Sequence, residues 1–198
     1  MATVDDGVFW QHAREGDEAS FGALFERHAA AIHAFCLRRT ADWSLAEDLT
    51  SATFLESWRH RSRVELDERE VLPWLYGVAN NLIRNSVRAR RRYANALARI
   101  PREADSEEFT EVVSERLASE ERLRQLLASL RDLPTREFEV VVLVCWQGLS
   151  HSEAAFALDV PEATVRTRLF RARRRLTSAT ERERGAVRAA LHEEGTSR

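Results

Sequence analysis

The sequence predicts an all-α protein made of two small helical domains, and three observations favour this fold class. Apolar residues recur mainly at steps of three and four, as on one face of an α-helix, and no alternating strand pattern of useful length is present. Long stretches of Ala, Leu, Glu and Arg also favour helix. Between the two periodic parts, residues 103–121 contain eight acidic residues against one Arg, which is typical of a flexible linker. We therefore place the domains at 8–93 and 122–178, joined by an acidic flexible linker at 94–121.

The composition of the 198-residue chain narrows the classes of protein it can belong to. With 44% hydrophobic residues and a net charge of −2, it has enough apolar material for real cores and no overall excess of positive charge. No apolar run approaches the roughly 18 residues that span a membrane, and the acidic amino terminus lacks the pattern of a signal peptide. We therefore expect a cytoplasmic protein without membrane insertion. All 30 basic residues are Arg, which suits bidentate phosphate and base contacts, although a GC-rich genome produces the same bias.

The first domain begins with a short helix and a long one within residues 5–39, and Asp17 is the predicted cap of the second. His28, His33 and Cys36 in the long helix raise the alternative of a helical metalloenzyme. Their spacing is poor for a metal, because no second Cys/His pair accompanies them and two of the three lie on the apolar side. We expect Cys36 to be a buried free thiol, and we expect neither a metal nor another cofactor.

Residues 42–60 predict a helix that is apolar on two sides. It opens with a capping-box pattern, Ser44 to Glu47. One apolar stripe faces its own domain, and Phe54 and Trp58, four residues apart, form a second. A helix with two apolar sides needs two partners, so the second stripe packs either on a neighbouring helix of the same bundle or on another protein. The polar residues around the stripes are Glu47, Asp48, Ser51 and Glu56.

Residues 61–71 are mostly charged and predict an exposed loop, and the helix that follows, 73–92, carries a polar face rich in amides and arginines. Trp74 and Tyr76 lie near its start. Asn side chains pair with adenine edges, arginines hold phosphates, and aromatic rings stack on unpaired bases. This face therefore favours nucleic-acid binding, with a core role as the alternative for Trp74. The candidate contacts are Trp74, Asn80, Asn81, Arg84, Arg88 and Arg91.

The second domain begins with regularly spaced leucines from Leu123 and continues into an apolar segment that opens at Pro134 and stops at Gly148. The valine-rich run Val140–Val144 favours a buried strand by composition. The Pro start, the Gly stop and the helices on both sides favour a buried helix instead. Cys145 lies in this segment and is predicted to be a second buried thiol.

Residues 148–176 predict two helices joined by a tight turn. Ser150 and Glu153 form a capping box on the first helix, and Asp159 makes the turn. The second helix has an apolar side and an opposite cationic side, and residues 161–177 hold six Arg against one Glu, a net charge of +5. This is the plan of a helix-turn-helix that reads the major groove, with a solvated arginine helix as the alternative. The candidate DNA contacts are Thr164, Arg166, Thr167, Arg168, Phe170, Arg171 and Arg174.

The order of these motifs resembles that of one protein family. The first domain carries AEDLTSATFLESW and PWLYGVANNLIRNSVRARRR, and the second, after the acidic linker, carries LPTREFEVVVLVCWQGLSHSEAAFALDVPEATVRTRLFRARRRL. Over residues 8–177 the chain is similar to the extracytoplasmic-function sigma factors, the two-domain bacterial initiation subunits of RNA polymerase. The resemblance implies an alternative sigma factor with no catalysis of its own. Its implied partners are core RNA polymerase, promoter DNA and, as is frequent in the family, an anti-sigma factor.

The resemblance also implies a role for each candidate surface. The helix at 42–60 would grip the clamp of the largest polymerase subunit, and the second domain would contact the flap. The loop at 61–72 and the helix at 73–92 would bind the minus-ten element on the non-template single strand. The helix-turn-helix would read the minus-thirty-five element in duplex DNA. The implied polymerase contacts are Glu47, Asp48, Ser51, Phe54, Glu56 and Trp58.

The sequence departs from the family pattern at several positions. Ser51 and Ala52 stand where a Gln and an acidic residue are usual, which removes hydrogen bonds and a charge from the implied polymerase contact. Asp159 replaces a turn Gly, and Asp tolerates the left-handed conformation better than most residues. The remaining alternative is a stand-alone helix-turn-helix regulator, which would need a dimer and a palindromic operator. The first domain argues against it, because that domain has its own Asn/Arg face.

Overall fold

In the computed structural model of the chain, the described residues are 5–97, 121, 130 and 133–178, and the side chains of 91 and 93–97 are left aside. Within these ranges the secondary structure is helical and contains no strand, as predicted. The linker prediction for 98–120, the leucine helix from 123 and any continuation beyond 178 lie outside the described residues. Within the same ranges, no helix combines the length and the apolar character needed to cross a membrane.

The first domain is a helical bundle in which the long second helix packs on the first, third and fourth. Its most deeply buried side chains include Trp10, Phe35 and Leu75, which come from three different helices. The fourth helix continues past the predicted boundary at 93. The helices are α1 (Asp6–Arg14), α2 (Glu18–Thr40), α3 (Trp43–His60) and α4 (Val71–Leu97).

Short acidic caps fix where the first three helices begin. Asp17 accepts hydrogen bonds from the backbone at the start of α2, as predicted. The predicted cap of α3 is wrong: Asp42, and not Ser44, accepts from the Leu45 N–H at 2.9 Å. The helix therefore begins one residue earlier, and Glu47 instead accepts a hydrogen bond from the Trp43 indole at 2.9 Å.

The segment between α3 and α4 was predicted to be an exposed loop, and it is more ordered than that. Arg61–Arg63 form a 3₁₀ turn, and Arg61 donates to the Ala13 carbonyl at 2.9 Å while its guanidinium lies 3.5 Å from the centre of the Trp58 ring. The Trp10 indole donates to the Val64 carbonyl at 3.1 Å. These contacts hold the segment against α1, so its path next to α4 is defined.

The described part of the second domain is a buried helix followed by the predicted helix-turn-helix. The valine-rich segment is helical, as predicted, but its second half winds as a π-helix, which the sequence did not indicate. Gly148 ends it with a φ of 73°. The helices are α5 (Thr135–Val141, continued by the π-helix Val142–Trp146), α6 (His151–Leu158) and α7 (residues 162–178).

The turn between α6 and α7 has the predicted chemistry. Ser150 and Glu153 make both hydrogen bonds of the capping box at the start of α6. Asp159 ends α6 in the left-handed region, with a φ of 51° and a ψ of 56°. Val165, Leu169 and Ala172 then lie buried on the inner side of α7, so that the opposite side of the helix faces outward.

The two domains pack against each other, chiefly through α4 and α6. A Cβ built on Gly77 would lie 2.5 Å from the Ala157 carbonyl oxygen, so the helices approach at a distance that only glycine permits. One turn away, the Tyr76 hydroxyl donates to the Gln147 side-chain oxygen at 3.0 Å. The polar face of α4 therefore lies against the second domain.

Candidate nucleic-acid interface

The outer side of α7 presents most of the predicted DNA contacts to solvent. The side chains of Thr164 and Arg168 are half-buried. Phe170 is 61% exposed, which is unusual for a large apolar side chain and leaves its ring available for a partner. The fully exposed members of the predicted set are Arg166, Thr167, Phe170, Arg171 and Arg174.

A cleft of about 540 Å³ runs between α7 and the start of α5. Residues 134–137 form one wall, and the other is formed by α7 residues that the sequence singled out, together with Ala163. Hydroxyl and guanidinium groups therefore line a concave surface beside an exposed helix. Such a surface can donate hydrogen bonds to phosphates and base edges. The predicted residues in the wall are Thr164, Thr167, Arg168 and Arg171.

The arginines of α7 differ in what already holds them. Arg166 is paired with Glu162 at 2.6 Å on the same helix, and Arg175 is paired with the buried Glu137 at 3.1 Å. Arg168 and Arg171 form no ion pair with any described residue. These two guanidinium groups can bind an anion without breaking an internal salt bridge.

The predicted polar face of α4 is not exposed as the sequence led us to expect. Asn80 is 1% exposed, and its side-chain oxygen has no hydrogen-bond partner among the described residues. Asn81 and Arg88 are exposed, and the side chain of Arg91 lies outside the described part. The expectation of an open face is therefore wrong for Asn80, because the second domain packs on this side of α4. Helical periodicity could not reveal that neighbour.

Arg84 is held by an acidic residue that the sequence reading missed. Its Nε donates to Glu139 Oε1 at 2.6 Å, and its Nη2 donates to Glu139 Oε2. Glu139 is fully buried, and a second arginine, Arg39, approaches it at 3.8 Å with a side chain that is only 4% exposed. A carboxylate inside the apolar run EFEVVVLV was the available sequence signal, because a buried acid requires a partner.

Burial and pairing act in opposite directions on the two arginines. Hydrogen bonds to Glu139 raise the pKa of Arg84 above its usual value. Burial lowers the pKa of Arg39 to about 10, and attraction to Glu139 opposes that effect. Both remain cations at neutral pH, so Glu139 is shared by two positive charges.

Trp74 has a structural contact that accounts for part of its burial. Its ring lies 4.9 Å from the Trp10 ring, centre to centre, and Trp10 is a core residue. Trp74 remains half-buried, so one part of the ring packs in the domain and another part reaches the surface. The alternative of a core role therefore holds in part.

The outer surface of α3 corresponds only partly to the predicted polymerase contacts. Phe54 is 4% exposed and lies 4.8 Å from Phe25 of α2, ring centre to ring centre. The half-buried Trp58 packs 5.1 Å from Phe21 in the same way. The second apolar stripe is therefore covered mainly by α2, a neighbouring helix of the bundle. Polar members that remain accessible are Glu47, Asp48 and Ser51, which are exposed, and Glu56, which is half-buried.

The residues of the metal alternative are engaged in other contacts. His28 Nε2 lies 2.6 Å from an Asp6 oxygen, and the His33 ring packs on Trp43. Cys36 is buried, as predicted, and burial raises the pKa of its thiol to about 11. Among the residues that the structure describes, no cluster of three His, Cys, Asp or Glu side chains is placed to hold a metal ion. Cys145 was predicted to be buried and is exposed, because it lies on the outer side of the π-helix.

The fold and these surfaces define a nucleic-acid-binding protein of two helical domains, the second with a helix-turn-helix. Residues 24–93 match the family model of Sigma-70 region 2, and residues 123–176 match that of Sigma-70 region 4. The ECF RNA polymerase sigma factor SigL of Mycobacterium tuberculosis is 30% identical over 168 residues, which cover 83% of this chain and 90% of the relative. The RNA polymerase sigma factor CarQ of Myxococcus xanthus is 33% identical over 159 residues, 80% of this chain and 87% of the relative.

The chain therefore belongs to the extracytoplasmic-function sigma factors of RNA polymerase. It is an alternative sigma factor, which binds core RNA polymerase and directs promoter recognition, DNA melting and transcription initiation. The stand-alone regulator finds no support in these matches. The fold is similar to that of CnrH, solved in complex with the cytosolic domain of CnrY, with a TM-score of 0.66 and 24% identity over 89% of this chain and 97% of that one.

Proposed function

We propose that the outer side of α7 reads the upstream promoter element in the major groove of duplex DNA. The observation that carries this proposal is the exposed row of Thr, Phe and Arg side chains beside the cleft to α5. Arg168 and Arg171 form no ion pair with a described residue, and Phe170 is free to contact a thymine methyl group. The helix lies on a buried apolar side, so its reading side chains are fixed in position.

The polar face of α4 has a separate role in the proposal, which is to bind the minus-ten element on the non-template strand. Arg84, Arg88 and Asn81 supply cations and an amide, and Trp74 supplies a half-exposed ring near the start of the helix. Bases taken out of the stack would be bound here, which favours strand separation without ATP. Asn80 belongs to the same set, and it becomes accessible only when the second domain moves away.

The exposed strip of α3 is the proposed contact with the clamp of the largest polymerase subunit. Glu47, Ser51 and Leu55 follow one another at steps of four and therefore lie along one side of the helix. Leu55 is 50% exposed, and Asp48 lies beside the strip. An exposed apolar side chain flanked by acids fits a basic protein surface with an apolar centre. The second domain takes the polymerase flap as its partner in the same proposal.

An anti-sigma factor is a further proposed partner. Two proteins of this fold were solved as complexes: CnrH with the cytosolic domain of CnrY, and RpoE with the anti-sigma factor NepR from Bartonella quintana, the latter at a TM-score of 0.60 and 21% identity. Those complexes motivate the search for an equivalent inhibitor of this chain. Because core polymerase works in the cytoplasm, we place the protein there as well.

Reconstituted transcription tests the proposed polymerase contact. The purified chain, added to core polymerase and promoter fragments selected from a random library, should give transcripts from one defined start. Asp48→Arg should weaken binding to core polymerase by about tenfold, because it reverses a charge in the proposed clamp contact. The matched control, Glu15→Arg, makes the same change at an exposed position of another helix end. Equal core affinity of the two variants would refute the α3 contact, and no core binding by the unaltered chain would refute the assignment itself.

A further inference from the structure

We infer that the second domain masks the minus-ten-reading face of α4, with Glu139 bound to Arg84 in the position that a DNA phosphate would take. The inference rests on the proposed role of Arg84 and Asn80 in strand binding. We name this packing of α4 on the second domain the interdomain contact. It joins Tyr76, Gly77 and Arg84, together with Arg39 of α2, to Glu139, Gln147 and Ala157.

The electrostatic half of the interdomain contact imitates a nucleic acid. Two nitrogens of the Arg84 guanidinium donate to the two oxygens of Glu139, which is the bidentate geometry that arginine also uses on a phosphate. Arg39 adds a second cation at 3.8 Å from the same carboxylate. While Glu139 is bound, Arg84 has no free pair of donors to offer to a DNA backbone.

The steric half of the contact closes the same face to bases. Gly77 lies so near the Ala157 carbonyl that no side chain fits between them, and Asn80, one turn further on, is 1% exposed. A base cannot reach an amide at that depth. The residues proposed to read the single strand are thus covered by their own chain and not by solvent.

The interdomain contact also contains features that make it reversible. Asn80 Oδ1 and two nitrogens of Arg39 have no hydrogen-bond partner among the described residues. Buried polar groups without partners weaken an interface, because water would satisfy them when the domains separate. Arg84 keeps 28% of its side-chain surface exposed, so solvent or DNA can compete for it. An interface built in this way is suited to opening when a partner binds the open form better.

The masking is selective. The exposed strip of α3 and the outer side of α7 both remain accessible in the closed arrangement. Core polymerase and duplex DNA can therefore engage while the single-strand face stays covered. Separation of the domains then uncovers that face, so strand binding depends on prior assembly.

Gly77→Ala provides a specific test, because the added Cβ is incompatible with the interdomain contact yet favours the helix in which it lies. The matched control is Gly22→Ala in α2, where a Cβ meets nothing within 4 Å. Domain separation is followed by spin-label distances in the full chain. One label is placed on Cys145, which is exposed, and the other on Ala30→Cys. The second native thiol, Cys36, is buried and stays unlabelled.

We expect one short, narrow distance distribution for the unaltered chain and for Gly22→Ala, and a longer, broad one for Gly77→Ala. Affinity for a fluorescent single-stranded oligonucleotide of mixed sequence should rise by about tenfold or more in Gly77→Ala, since the binding-competent fraction increases. Arg84→Ala in the Gly77→Ala background should abolish that gain.

Two kinds of failure are distinguishable. Unchanged distances in Gly77→Ala would overturn the interdomain contact. Separated domains without a gain in affinity, while Arg84→Ala weakens the unaltered and the open chain equally, would overturn masking but keep Arg84 as a nucleic-acid contact. If Arg84→Ala changes nothing in the separated protein, the proposed role of Arg84 is wrong, and the masking inference is overturned with it.

Discussion

Arg171→Ala isolates the reading function of α7. Arg171 is exposed, lies in the cleft to α5 and pairs with no described acid, so its removal breaks no ion pair within the described structure. The free energy of unfolding should change by less than about 0.5 kcal/mol. Any larger effect on DNA binding is then an effect on the complex. The control is Arg173→Ala, which removes the same exposed charge from the same helix, about 160° away around its axis.

The expected loss follows from the geometry of the contact. A guanidinium that binds a base edge is worth about 1–3 kcal/mol of discrimination, roughly 5- to 150-fold in the ratio of affinities for right and wrong sequences. We expect Arg171→Ala to fall in that range and Arg173→Ala to leave the ratio unchanged. A phosphate contact alone would instead lower both affinities together and flatten the slope of log affinity against log salt by about 0.9.

The assay is a competition measurement with the reconstituted holoenzyme. One duplex carries the upstream element selected from a random library, and the other carries the same bases in scrambled order. Dissociation constants for both are measured over a series of salt concentrations. If Arg171→Ala weakens both duplexes equally, as the control does, Arg171 touches only the backbone and the proposed reading role is refuted.

Two further predictions concern stability. Because burial raises the pKa of the Cys36 thiol to about 11 from 9.0, the neutral thiol stabilises the native state. That contribution is complete below the unfolded pKa and is lost as the pH rises through the native one, so stability should fall by up to about 3 kcal/mol over this window. Cys36→Ala should flatten the profile in urea titrations, and an unchanged profile would exclude Cys36 as its source. Ser150→Ala removes half of the capping box on α6 and should cost about 1 kcal/mol of unfolding free energy, measured by urea denaturation, against no cost for the exposed Ser178→Ala.

The helix-turn-helix was predictable because its determinants are local. The Ser150–Glu153 box, the left-handed Asp159 and the alternation of apolar and basic positions along α7 all act within a few residues of one another. Short-range hydrogen bonds and helical periodicity are fully encoded in a linear sequence. The residues proposed to read duplex DNA were identified for the same reason, since a helix with a buried side must expose the opposite one.

The errors occur where distant segments meet. Asn80 and Phe54 lie on helix faces that looked available, and each is covered by a helix that periodicity cannot place. A face meant for nucleic acid and a face packed on a polar domain surface have the same composition, because both offer amides and arginines to an acidic or hydrogen-bonding partner. Only Glu139, a carboxylate inside an apolar run, signalled that a cation would come to it from elsewhere in the chain.

The closed arrangement also constrains how core polymerase could activate the protein. A partner shifts an equilibrium between two conformations only if it binds one of them more tightly. The exposed strip of α3 and the second domain are the two proposed polymerase contacts, and they belong to different domains. If clamp and flap hold these contacts at a separation that the closed form does not provide, polymerase binding itself supplies the preference for the open form. Its differential affinity must then exceed the stability of the interdomain contact, which the unpartnered groups of Arg39 and Asn80 keep small. A more fully satisfied contact would bind the domains together more tightly and leave the single-strand face covered even in the holoenzyme.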